Sequence, residues 1–166
     1  LITKLEKIKI ESKANNIDNN ELRQYFELER VIDGIFKISM QLFDIEYSKV
    51  ENPSVWHQDV QMYEMLESDS DKLIGTFYFD LYPRENKYQH AAEYTIISGK
   101  KLGDQYQLPI VCLVCNFPKQ TTYQPSLLSH DDVETFFHEF GHLLHDLLSK
   151  TELASQSGTS VAMDFV

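Results

Sequence analysis

Between Asp131 and Ser149 the apolar residues Val133, Phe136, Phe137, Phe140, Leu143, Leu144, Leu147 and Leu148 recur at intervals of mostly three and four. At about 3.6 residues per turn they form one continuous arc of a helix. A strand would scatter the same residues over both faces. The stretch is therefore committed to an amphipathic helix laid on a core. Ser129 stands just before it with Asp132 three positions on, the pattern of a capping box. Pointing away from the arc are the two histidines of F-H-E-F-G-H, residues 137–142.

Side chains at i and i+4 lie on one helix face about 6 Å apart. His138 and His142 can thus reach a single zinc ion through Zn–N bonds of about 2.0–2.1 Å. Glu139 is rotated by roughly 100° from His138, which places it beside the metal, where a base acting on water belongs. The plain alternative is a helix whose solvated side carries His and Glu by chance. Two details favour the site. Gly141 costs about 1 kcal/mol against Ala inside a helix, and a close backbone approach beside a site would explain it. Glu134, His145 and Asp146 share the polar side and are candidates to orient the ligands.

A third ligand must come from elsewhere. His145 lies about 10.5 Å along the axis from His138, too far to share the ion. It also occupies the position where the H-E-x-x-H-x-x-G-x-x-H pattern requires glycine. Glu152 follows the helix too closely for the chain to turn back. On spacing alone Asp164 remains, reached by a helical return after a turn at Gly158.

The 166 residues are 42% hydrophobic and can bury the core of one domain. No apolar run approaches the roughly 18 residues of a membrane span. The start, L-I-T-K-L-E-K, shows neither an initiator methionine nor the apolar core of a signal peptide and reads as internal to a longer protein. A net charge of -11 argues against nucleic acid and anionic membranes as partners and favours peptides or small cations. The two cysteines, Cys112 and Cys115 in I-V-C-L-V-C, point to opposite faces of a strand, so a bridge is not expected. Buried thiols fit a reducing compartment, and the expected location is the cytoplasm, with mitochondria as the alternative.

Leu22, Tyr25, Phe26, Ile32, Ile35, Phe36, Leu42 and Phe43 mark a second helix, from about Glu21 to Phe43, after the polar N-N-I-D-N-N at 15–20. Beyond Asn52-Pro53 the period shortens. V-Q-M-Y-E-M-L and L-I-G-T-F-Y-F-D-L-Y predict strands joined by S-D-S-D-K, and Glu93 to Ile97 and Leu108 to Phe117 predict two more. The expected fold is α+β: a mainly helical core with a small, largely antiparallel sheet, residues 1–166 forming a single piece of something larger.

Several separated motifs also resemble a known family. L-L-S-H-D-D-V-E-T-F-F-H-E-F-G-H-L-L-H and S-G-T-S-V-A-M-D-F-V are similar to the thimet oligopeptidase family of zinc peptidases, which includes neurolysin, saccharolysin and oligopeptidase A. So are F-Y-F-D-L-Y-P-R-E-N-K-Y-Q-H-A-A, V-W-H-Q-D-V and Y-F-E-L-E-R-V. The likeness covers nearly everything from Tyr25 onward. It implies a zincin-like catalytic core in which His138 and His142 bind zinc, Glu139 is the catalytic base, and short peptides are the substrates. It also implies a glutamate as third ligand directly after Val166, which demotes Asp164 to a supporting group. The stretch would then be a fragment of a larger catalytic domain, inactive alone. The rival expectation is a non-catalytic peptide-binding or scaffold fragment. His57 and His90 have no ligand spacing and read as structural histidines rather than cleft residues.

Overall fold

The computed structural model describes residues 19–166, so the Lys-rich start and most of the N-N-I-D-N-N stretch lie outside the described residues. The helices are α1 (Asn19–Arg23), α2 (Leu28–Phe43) and α3 (His130–Leu148). The strands are β1 (Ile45–Lys49), β2 (Gln61–Glu67), β3 (Leu73–Asp80), β4 (Ala92–Ile97), β5 (Lys100–Leu102), β6 (Gln105–Gln107) and β7 (Ile110–Val114). Five of them form a sheet in the order β1-β2-β3-β7-β4, and β5 with β6 forms a separate hairpin. Within the sheet β3 and β7 run parallel, while the other three pairings are antiparallel. The sheet is therefore mixed. Helix and strand take nearly equal shares of the described residues, which corrects the expectation of a mainly helical core.

The helix expected from Glu21 to Phe43 is broken after Arg23. Its backbone groups there bond elsewhere: Leu28 N–H donates to Ser126 O at 2.9 Å, and Phe26 O accepts from Leu128 N–H at 2.8 Å. This pairing ties the entry of α2 to the segment that leads into α3. Helix α2 ends at Asp44, whose left-handed φ of 55° lets its N–H return to Met40 O at 3.0 Å. Tyr25, Leu42 and Phe43, expected on the buried face, are exposed. Strand β1 was not anticipated, although I-E-Y-S-K alternates, with Ile45 buried and Tyr47 half-buried.

Helices α2 and α3 meet one face of the sheet through Phe36 and Phe140, whose rings lie 6.0 Å apart and each contact Phe77 and Phe79. Phe136, Leu143 and Leu147 complete the α3 contribution to a core that also holds Tyr63, Met65, Val111, Leu113 and Cys115. The arc is rotated slightly from its expected position: Phe137 is exposed, and Asp146, expected on the polar side, is buried. Gly75 on β3 permits the close approach of α3, since a Cβ there would lie 2.7 Å from Leu147 Cδ2 and 2.9 Å from Pro109 O. Cys112 and Cys115 are both free and buried, and burial pushes each thiol up to about 12. No helix among the described residues is long and apolar enough to cross a membrane.

The loop between β3 and β4 is anchored by Asp80, which is buried. Its carboxylate accepts two bonds from Arg84, at 2.6 and 2.7 Å, and one from Trp56 Nε1 at 3.0 Å. Lys87 Nζ lies 3.0 Å from the same carboxylate and donates to the carbonyls of Asp80, Tyr82 and Cys115. Burial alone would raise the Asp80 pKa, but the bonds from Arg84, Trp56 and Lys87 outweigh it and hold the group at about 2, against 3.8 ordinarily. A depressed folded pKa adds stability that is fully present above the unfolded value and is lost as pH falls through the folded one. The shift corresponds to about 2 kcal/mol. Urea unfolding between pH 6 and pH 2 should accordingly show Asp80→Asn less stable by about that amount at pH 6, with the gap closing towards pH 2. A gap independent of pH would remove the charge from the account.

Candidate active site

The capping box at the start of α3 forms as the sequence predicts: Ser129 Oγ accepts from Asp132 N–H at 3.1 Å, and Ser129 N–H donates to Asp132 Oδ2 at 2.8 Å. The helix so fixed carries His138 and His142 on its outer side, their rings 4.6 Å apart and nearly perpendicular. Their Nε2 atoms are 3.1 Å apart. Two nitrogens bound tetrahedrally to one zinc at about 2.0–2.1 Å would stand about 3.3 Å apart. The 3.1 Å contact is that of a hydrogen bond between the rings, and it is also close to the spacing of two zinc ligands.

Glu139, half-buried, turns from the imidazoles towards the sheet edge, and its Oε2 accepts from Glu93 N–H on β4 at 2.9 Å. A cleft of about 220 Å³ opens there, lined by Ala91, Ala92, Glu93, Glu139, His142, Thr159 and Val166. Glu93 reaches beneath it. Burial, then the neighbouring Asp146 carboxylate and the Glu139 charge, push its pKa up to about 8, so the carboxyl holds its proton near neutral pH. Its buried Oε1 has no other bonding partner among the described residues, and a proton shared with Asp146 would satisfy it.

The remaining sequence candidates separate. Gly141 is exposed, and a Cβ there would meet nothing within 4 Å, so among the described residues no close backbone approach accounts for it. Glu134 joins His130 and Asp131 in an exposed cluster on the first turns of α3, one turn before His138. That cluster is the one group of three metal-ligating side chains within 4.8 Å of one another among the described residues, so the His138–His142 pair gains no third donor there. The segment after Gly158 does return along α3, with Phe165 6.2 Å from the His145 ring, but as turns rather than a helix. Asp164 on it is exposed. His57 accepts from Asp59 N–H at 3.2 Å, and His90 sits beside the Tyr88 ring, 5.5 Å away; neither lines the cleft.

An extended peptide can pair only with a strand whose edge is free. Strands β3 and β7 are both interior, each flanked on two sides, so neither has free backbone groups to offer. The edge beside the site is β4. Sequence reasoning predicted this strand without assigning it to the site. The available signal was the alternation of Glu93 and Thr95 with Tyr94 and Ile96, which sets polar residues towards α3.

A model of peptidase family M3 matches residues 6–166. The chain belongs to peptidase family M3. It is 46% identical over 152 residues to the thimet-like oligopeptidase of Dictyostelium discoideum, covering 90% of this chain and 23% of that protein. Saccharolysin of Saccharomyces cerevisiae is 40% identical, with 91% of this chain and 22% of the relative covered. The mitochondrial intermediate peptidase of Arabidopsis thaliana is 37% identical, at 93% and 22%. The chain thus spans between a fifth and a quarter of the length of these M3 relatives, and their names leave the compartment open.

Proposed function

We propose that this stretch carries the zinc-binding helix of a metallopeptidase that hydrolyses internal bonds of short peptides, with His138 and His142 as metal ligands and Glu139 as general base. The 3.1 Å separation of the two Nε2 atoms carries the reading, because it sets two imidazole nitrogens on one helix face close to the spacing of two zinc ligands. Zinc, when bound, supplies Lewis-acid chemistry, acidifying water and offsetting negative charge on a carbonyl oxygen. Glu139 Oε1 takes the proton of the attacking water while Oε2 stays fixed by Glu93 N–H, and the same carboxyl then delivers the proton to the leaving amine. An extended peptide pairs with the open edge of β4, which sets its scissile bond over α3.

Two imidazoles alone make a weak site. The 166-residue stretch by itself is expected to fold on the aromatic core, to bind zinc weakly, and not to cleave peptides. Titrating it with zinc while assaying an internally quenched peptide tests this. Tight stoichiometric binding, or turnover abolished by Glu139→Gln, would show that a residue within the stretch completes the site. The full-length protein tests the main reading: zinc-dependent hydrolysis supports it, and peptide binding without hydrolysis favours a scaffold instead.

A further inference from the structure

Asp146 is a fully buried carboxylate that the proposed mechanism does not use, at 2% exposure one turn beyond His142. Both its oxygens are engaged, and by different elements. Oδ2 accepts from Thr95 Oγ1 on the edge strand β4. Oδ1 accepts from Thr159 N–H at 2.9 Å, in the segment that leaves α3 and comes back to the cleft. Gly158, just before that contact, holds φ at +56°, and a Cβ there would overlap Asp146 Oδ1. The chain is thus shaped to bring a backbone N–H onto this carboxylate. The two elements it grips are the two that wall the cleft: Ala92 and Glu93 on β4, and Thr159 and Val166 on the returning segment.

We propose that Asp146 is a positioning residue that locks the edge strand and the returning 157–166 segment to the site helix, so that both cleft walls keep a fixed distance from His138, Glu139 and His142. The proposal rests on the peptidase reading for its catalytic consequence, but not for its structural one. A buried carboxylate that lost its partners would be costly, so each wall is held to α3 through its own bond to this one side chain. Displacement of a site wall by about 1 Å can lower turnover about 10²-fold without touching the reacting groups.

The test uses the full-length protein carrying this chain, with hydrogen exchange read by segment beside peptide hydrolysis. Asp146→Ala should speed exchange in 92–97 and 157–166, leave 28–43 in α2 unchanged, and lower kcat about 10²-fold. Asp146→Asn should restore most of both, because its amide still accepts from Thr159 N–H and can donate to Thr95 Oγ1. Should Asp146→Ala fail to fold, Thr95→Val removes one bond from the other side and should loosen 92–97 while leaving 157–166 protected. Unchanged exchange at both walls in Asp146→Ala, or equal loosening of α2, would overturn the proposal. Absence of hydrolysis in the unaltered protein would instead sink the peptidase reading, and the exchange pattern would still decide the role of Asp146.

Discussion

Replacing Glu139 by glutamine in the full-length protein is expected to leave zinc in place and to lower peptide turnover by about 10² to 10⁴-fold, the usual contribution of a positioned general base. The substitution keeps the shape of the side chain. Its amide oxygen can still accept from Glu93 N–H, the contact that now holds Oε2 at 2.9 Å, so the geometry of the cleft survives. What disappears is the capacity to take a proton from water. Metal retention separates this loss from damage to the site: neither oxygen of Glu139 is a proposed ligand, so zinc content measured after dialysis should match that of the unaltered protein. Near-normal hydrolysis by the variant would exclude Glu139 as the base.

Replacing His138 or His142 by alanine should act the other way round, on metal first and on turnover through it. Each imidazole supplies one of two nitrogens already 3.1 Å apart, and the loss of either leaves a single protein donor in the described stretch. Zinc content should fall to background in both variants, with hydrolysis falling alongside. Fold stability should change by no more than about 0.5 kcal/mol, because neither ring belongs to the core and surface substitutions away from buried networks have effects of that size. Full zinc occupancy in both variants would refute the site, whereas unfolding would show that the rings support α3 more than their exposure suggests. The pairing of results is diagnostic: metal kept with turnover lost for Glu139, metal lost for either histidine.

The helix that carries these residues was legible from the sequence because its signals are local. The apolar arc from Val133 to Leu148, the cap at Ser129 and Asp132, and the i, i+4 spacing of His138 and His142 depend on helical geometry alone, and the structure reproduces the cap, the spacing and, apart from Phe137, the arc. The same holds for the hairpin around 68–72 and for the opposed faces of Cys112 and Cys115, since turn residues and a two-residue period are properties of a short stretch. Where the sequence misled, a distant segment had intervened. The helix through Glu21 broke because 126–128 offered its backbone partners, and Asp146 went inside because Thr95 and Thr159 were there to satisfy it. The order of strands was decided in the same way. Periodicity marks a strand but carries nothing about its neighbours, so only the tertiary structure could put β7 between β3 and β4 and leave β4 as the open edge beside Glu139. The sequence by itself determined which side chains share a helix face, because that follows from bond geometry; which strand meets that face, and which carboxylate lies buried beneath it, depended on pairings across long stretches of chain that only the packed core selects.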